Sequence, residues 1–322
     1  MKNLVRAAAA AAFLAVATVG ASAQEYPSRS IRLILPFPPG GSVSIIGRMF
    51  GDAMQTAWGQ PVVVDPKPGA GGVVASKELI KSDPDGHTLM MATANVAINA
   101  SLYKNLGFDT EKDLVPISQI VAVPSVILAR GDLPVNTLQD LVDLAKKEPG
   151  TLNYSSGGTG SAPHLAVELF KSMAGIDIEH IPYQGNAPAL LALLAKDVDM
   201  MDSNIPDVLQ YIKDGSIKAL AVTSTERLPI LPDVPTVAEL GYPGYKAVGW
   251  LGFFAPRGTP DAVVQKIAAR IKADLDGQQI SDLLAKQGFD KLYSTPEQFA
   301  TTIHEDIDSY AIAVKASGAT AE

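Results

Sequence analysis

Two glycine-rich loops carry the side chains best suited to hold a small molecule. Residues 36–44 run Pro-Phe-Pro-Pro-Gly-Gly-Ser-Val-Ser, and residues 155–161 run Ser-Ser-Gly-Gly-Thr-Gly-Ser. Each follows a short apolar stretch with strand character. Each then leads into apolar residues at helical spacing, Ile45, Ile46, Met49 and Phe50 after the first and Leu165, Leu169 and Phe170 after the second. Free N–H groups at a helix N-terminus, with the positive end of the helix dipole, bind a carboxylate or phosphate without a side-chain cation. Hydroxyls on Ser42, Ser44, Ser156, Thr159 and Ser161 lie in these loops, beside the glycines Gly40, Gly41, Gly158 and Gly160. One such loop alone would be read as a tight turn that glycine permits. Two matching loops at the carboxyl ends of strands, where open α/β sheets bind their ligands, point to a clamp with one jaw from each.

Other chemistries find fewer residues. The four histidines, His87, His164, His180 and His304, lie far apart and in no metal-binding spacing such as His-Glu-x-x-His. His164 falls in the first turn of the helix behind the second loop, where packing, capping and a ligand contact are all open to it. No Gly-x-Ser-x-Gly elbow marks a serine nucleophile. The second loop lacks the Gly-Lys-Ser/Thr ending of a nucleotide-binding loop, and residues 83–86 are too short for a calcium loop. Cysteine is absent, which removes disulfides, thiolate zinc sites and cysteine nucleophiles. No cofactor and no metal are expected. With 26 basic against 34 acidic side chains and a formal charge of −8, the chain has no basic footprint for nucleic acid.

The elements that must position these loops follow from pattern. Lys2 and Arg6 precede an uncharged stretch over 7–20 and then Ala21-Ser22-Ala23, the three parts of a secretory signal peptide. Residues 1–23 are therefore expected to be cleaved, placing the protein in the periplasm. The apolar run is shorter than the about 20 residues that span a bilayer. The 322 residues exceed the about 250–300 that one core supports. Short apolar strands at 30–35, 61–64, 87–91 and 125–129 alternate with helices, and a second unit repeats the pattern at 152–155, 178–181 and 219–223. That alternation predicts an α/β fold of two lobes, each a mostly parallel sheet flanked by helices. In the second unit Asn186 is expected to cap a helix carrying Leu190, Leu191 and Leu194. The proline-rich residues 227–243 suit a crossover. After it come a strand at 250–255 and helices that need a sheet to pack on, the last begun by the capping box Thr295-Pro296-Glu297-Gln298. Lobe 1 is thus expected to join 24–125 with 245–322, and lobe 2 to span 126–244.

The sequence resembles the extracytoplasmic receptors of the tripartite tricarboxylate transporter family, solute-binding proteins of the Bordetella uptake gene type. The resemblance runs in one order through 34–41 (Ile-Leu-Pro-Phe-Pro-Pro-Gly-Gly), 68–72 (Pro-Gly-Ala-Gly-Gly) and 84–89 (Pro-Asp-Gly-His-Thr-Leu). It continues through 153–157 (Asn-Tyr-Ser-Ser-Gly), 181–189 (Ile-Pro-Tyr-Gln-Gly-Asn-Ala-Pro-Ala) and 231–237 (Leu-Pro-Asp-Val-Pro-Thr-Val). It implies a Venus-flytrap fold that closes on a small organic carboxylate, whether di- or tricarboxylate or aromatic, and delivers it to membrane permease subunits. No bond would be made or broken, and a monomer is expected. By the same resemblance the loop holding Phe37, Pro39, Gly40, Gly41 and Ser42 closes one side of the cleft. The loop from Ser156 through Gly158, Thr159, Gly160 and Ser161 supplies hydroxyl and backbone donors. Thr93 and Asn95, the run Asp202-Ser203-Asn204 and the chain around Trp250 complete the walls.

Two departures bear on the ligand. Family members commonly carry Asp where this chain has Ser44, and Phe-Asp-Asn where it has Asp202-Ser203-Asn204. Without those acids in the wall, the ligand is expected to be anionic and to carry no ammonium group there, although Ser44 equally suits a cap for the helix that follows and Asp202 would restore the charge if it turned into the cleft. A secreted α/β hydrolase, or a ligand-sensing module for a signalling receptor, stands as the alternative reading.

Overall fold

The computed structural model describes residues 26–37, 42–183, 185–286 and 289–321. The expected signal peptide, residues 1–23, lies outside the described residues, as do Pro39, Gly40 and Gly41 and the side chain of Ser42. The strands are β1 (Ile31–Leu35), β2 (Val62–Pro66), β3 (Thr88–Thr93), β4 (Leu114–Val123), β5 (Ser125–Arg130), β6 (Asn153–Ser156), β7 (Glu179–Pro182), β8 (Met200–Asn204), β9 (Ile217–Val222), β10 (Gly249–Pro256) and β11 (Asp290–Lys291). The helices are α1 (Ser42–Trp58), α2 (Val73–Ile80), α3 (Asn95–Leu102), α4 (Thr110–Asp113), α5 (Leu138–Lys147), α6 (Ala162–Ala174), α7 (Asn186–Ala195), α8 (Ile205–Lys213), α9 (Asp261–Asp276), α10 (Gln278–Lys286) and α11 (Pro296–Ser317).

Two lobes form, one on a sheet of order β11-β4-β10-β3-β1-β2 and one on a sheet of order β7-β6-β8-β5-β9. Strand alternation builds three layers in each lobe, because successive side chains point to opposite faces. In lobe 1, Leu33, Leu35, Leu89, Met91 and Phe253 join the core under α1 and α9, with Phe50, Ile267 and Ile271. The residues between them, Ile34, Met90, Ala92 and Phe254, join the opposite core with Ile98, Phe299 and Ile303. Lobe 2 divides the same way, Ile127 and Ala129 packing with Leu141 and Phe170 while Val126 and Leu128 pack with Leu193 and Val208.

The sheets are mixed, whereas the sequence pattern predicts mostly parallel ones. β10 runs antiparallel to both β3 and β4, and β5 runs antiparallel to both β8 and β9. β5 and β10 are the strands by which the chain enters each lobe from the other. They start at the cleft and run away from it, against neighbours that run towards it. β4 escapes the pattern reading for a related reason. Its Pro116, Ser118 and Gln119 interrupt the apolar run, and the ladder with β10 shifts register beside Pro116, where proline has no N–H to give. Next to the cleft the two crossings are stitched together: Thr223 N–H donates to Ser125 O at 3.0 Å, and Ser125 N–H donates to Thr223 Oγ1 at 3.0 Å.

The last helix, α11, starts with the predicted capping box, Thr295 and Gln298 bonding each other's backbone. It packs on α3 and β4 of lobe 1 and also on α6 of lobe 2. Its Phe299 needs Gly252 opposite. A Cβ on Gly252 would lie 2.4 Å from Phe299 Cζ, while the ring is held edge-on by Trp250 at 4.8 Å. Gly252→Ala should therefore destabilise the protein by about 1–3 kcal/mol through overpacking. Urea unfolding would show a lower midpoint at unchanged slope, and adding Phe299→Leu should recover at least half of the loss.

Candidate functional site

The cleft between the lobes holds a cavity of about 280 Å³ at the carboxyl ends of strands from both sheets. Lobe 1 lines it with Phe37, Thr93, Ala94, Asn95, Val123, Gly249, Trp250, Leu251 and Phe289. Lobe 2 lines it with Gly157, Ser161, Ala162, Pro163, Asn186 and Asn204. Four helices begin there, α3 at Asn95, α6 after Ser161, α7 at Asn186 and α8 after Asn204. None of the described residues in this lining is charged. Each of these helix starts turns the positive end of its dipole towards the cavity.

Local sequence explains the starts of α6 and α3. Ser161 Oγ accepts the His164 N–H at 3.4 Å, and Pro163 fills a first-turn position where no N–H is needed. Thr93 Oγ1 accepts the Asn95 N–H at 3.3 Å. Asn186 is not the cap that its position suggests: Gly185 precedes the helix, and Asn186 is its first residue. Its Nδ2 is thereby free to donate to Ser203 Oγ and to Asp207 Oδ2, both at 2.8 Å, tying α7 to β8 and α8.

The second loop keeps its shape through its own polar groups. Gly158 N–H donates to Ser156 Oγ at 3.2 Å, Gly160 N–H donates to His164 Nδ1 at 3.1 Å, and Ser161 N–H donates to Gly158 O at 3.1 Å. Three N–H groups that the sequence offers as ligand donors are thus used within the loop. Gly157 and Ala162, both in the cavity wall, have N–H groups with no partner among the described residues. Beneath the loop, Ser156 Oγ lies 2.7 Å from His180 Nε2, and the His164 and His180 rings are 4.0 Å apart. Burial pushes His164 down to about 3, and repulsion from His180, when that ring is charged, and from Lys171 adds to the effect. Burial also pushes His180 down to about 4, Glu168 opposing and Lys171 adding. Both rings are neutral at neutral pH, so His164 Nδ1 can act as an acceptor.

Of the residues singled out from sequence, Phe37, Thr93, Asn95, Ser161 and Asn204 meet at the cavity. Ser156, Gly158 and Gly160 form the loop's frame, and Thr159 is exposed outside the lining. Ser44 is buried inside the first turn of α1, neither that helix's cap nor part of the lining. Ser203 is buried as the acceptor for Asn186. Asp202 is 1% exposed and outside the lining, and neither carboxyl oxygen has a hydrogen-bond partner among the described residues. Burial pushes this carboxyl up to about 8, with Ser125 nearby opposing, so it is protonated at neutral pH and brings no charge to the cleft. Sequence reading missed Val123, Leu251 and Phe289, whose only mark was apolar character shared with the core.

The imidazole pair makes stability depend on pH with a definite sign. Their folded values lie below the unfolded value of about 6.5, so the unfolded chain binds more protons and stability falls as pH drops below about 6.5. Each histidine contributes up to about 1.4 kcal/mol per pH unit, down to its folded value. Urea unfolding at pH 6, 5 and 4.5 should show His164→Gln losing stability less steeply than the unaltered protein.

Comparison with known proteins agrees with this geometry. Residues 46–318 match the family model described as tripartite tricarboxylate transporter family receptor. The chain is 36% identical to Protein BugT of Bordetella pertussis over 311 residues, covering 95% of each. Among solved structures, it is similar to the periplasmic binding protein BugD, at 34% identity and a TM-score of 0.76 over 92% of this chain and all of that one. It is also similar to Rpa4515 of R. palustris, solved with adipate, at 31% identity and a TM-score of 0.79 over 92% of this chain and 99% of that one. With sequence and fold matching along almost its whole described length, the chain belongs to the tripartite tricarboxylate transporter family of receptors.

Proposed function

We propose that the protein captures a small organic carboxylate between its lobes, in the periplasm, and presents it to the membrane permease subunits of a tripartite transporter. The observation that carries this reading is the convergence of four helix N-termini on a cleft that, among the described residues, is lined by no charged side chain. A carboxylate there meets backbone donors whose charge-assisted bonds are each worth about 1.5–3 kcal/mol. Holding it by dipoles alone keeps capture reversible. Relatives support the class of ligand, since Rpa4515 was solved with adipate, and BugD is a periplasmic binding protein.

Capture without catalysis also fits a pair of groups among the described residues that resembles a nucleophile and its base. Ser156 and His180 have the spacing of such a pair. Ser156 is fully buried, however, and its hydroxyl also bonds both the N–H and the C=O of Gly158. Its role is to hold the loop. One chain supplies both jaws, so a monomer suffices. In this reading the lobes comprise residues 24–125 with 245–322, and residues 126–244, and they hinge at the stitched crossings.

A thermal-shift screen of carboxylates tests the proposal, because a ligand at a hundredfold excess over Kd adds about 2.7 kcal/mol. A carboxylate should raise the melting temperature where its primary amide does not. Equal shifts by acid and amide would overturn the reading. By isothermal titration, Ser161→Ala and Asn204→Ala should each weaken the best carboxylate at least fivefold, and exposed Thr159→Ala should stay within twofold.

A further inference from the structure

Trp250 is a wall that two cavities share. It lines the cleft, and it also lines a second cavity of about 340 Å³ beside the crossings between the lobes, together with Pro124, Ser224 and Asp306. The residue is 3% exposed, and three contacts fix its ring. Phe299 meets it edge-on at 4.8 Å, Phe254 lies tilted at 6.1 Å, and the indole N–H donates to Asp306 Oδ2 at 2.6 Å. Phe299 and Asp306 stand two turns apart on α11, so one helix face supplies both a packing contact and the acceptor. Apolar contact is non-directional and tolerates more than one setting of the ring, whereas the hydrogen bond demands alignment. Asp306 lines the second cavity and not the cleft, so the N–H points away from the ligand's side.

A buried N–H left without a partner is costly, so loss of the acceptor would turn the ring towards another, at the expense of the cleft wall. Asp306 can hold the indole in either protonation state. Burial pushes its carboxyl up, with Glu305 adding, while the indole N–H and Lys246 favour the charged form. A protonated carboxyl still keeps a carbonyl oxygen that accepts. The same stretch of α11 also meets the other wall. Asp306 and Tyr310 border a small space against Leu165 and Leu169 of α6, the helix that starts at the cleft after Ser161. Resting on the carboxylate reading above, we infer that Asp306 is a positioning residue for ligand binding, which fixes through the indole N–H the setting in which Trp250 faces the ligand. A bond with only a structural role would support stability and leave affinity alone.

Isothermal titration of adipate, malate, citrate and benzoate into the unaltered protein first finds the tightest of the four. Asp306→Leu keeps the bulk and removes the acceptor, and it should weaken that acid at least about fivefold. Asp306→Asn retains a carbonyl acceptor and should stay within about twofold. In a Trp250→Phe background there is no N–H to hold, so Asp306→Leu should cost less than about twofold there. Trp58 packs on Tyr26 outside the cleft lining, and Trp58→Phe leaves Trp250 as the one tryptophan. Its emission maximum should shift in Asp306→Leu and return in Asp306→Asn. If Trp250→Phe binds too weakly to measure, the emission decides in its place. Urea midpoints confirm folding, and Asp306→Ala carries the same expectations should Asp306→Leu not fold. A weakening below fivefold, an equal weakening in the Trp250→Phe background, an unmoved emission, or failure of both variants to fold overturns the inference and leaves the carboxylate reading standing. If none of the four acids binds the unaltered protein, both fall.

Discussion

The donor wall of the cleft rests on two imidazoles that burial holds uncharged. His164 can accept the Gly160 N–H only through a bare Nδ1, and His180 reaches Ser156, which in turn grips Gly158. A proton on His164 Nδ1 would replace that acceptor by a donor, and charging both rings would set like charges 4.0 Å apart between ring centres. The cost of charging a buried group prevents this near neutral pH. The loop so fixed does more than face the ligand. Gly160 has φ +78°, and a Cβ there would meet Leu102 Cδ2 of lobe 1 at 2.4 Å. The same backbone turn that aims the loop leaves the space in which the lobes touch. Leu165, five residues further on, joins the lobe 1 core beside Trp250.

Topology supplies the rest of the site. Strands β1, β3 and β4 in one lobe and β6 and β8 in the other all end at the cleft, so the helices that follow β3, β6, β7 and β8 start there. A field built from helix starts falls off within about one turn. It acts on groups that lie directly against those starts, which come from both lobes.

The parts legible in sequence are those whose signal is local. Alternating strands and helices, the Ser161 cap and the Thr295 capping box are each written within a few residues, and each is present. What stayed hidden depends on contacts between distant segments. Asn186 looks like a cap in sequence because nothing nearby reveals Ser203 and Asp207 as its partners. Gly158 and Gly160 look like ligand donors because their acceptors, a serine and a histidine, gain that role only when His180 and the α6 turn pack below them. Phe289 and Val123 look like any core residue until two lobes leave a gap beside them.

β10 lies between β3 and β4 in the lobe 1 sheet, yet it is formed by residues 249–256. As the chain is made from its N-terminus, β3 and β4 emerge with no strand to join them. The β5 to β9 strands are contiguous in sequence and can condense first. Until β10 arrives, lobe 1 exposes two unpaired strand edges, and exposed edges invite pairing with another chain. The long-range contacts that end this interval are of the slow-forming kind. An unfinished copy is thus most prone to clumping just before its last quarter is released, a stage at which a chaperone would be most useful.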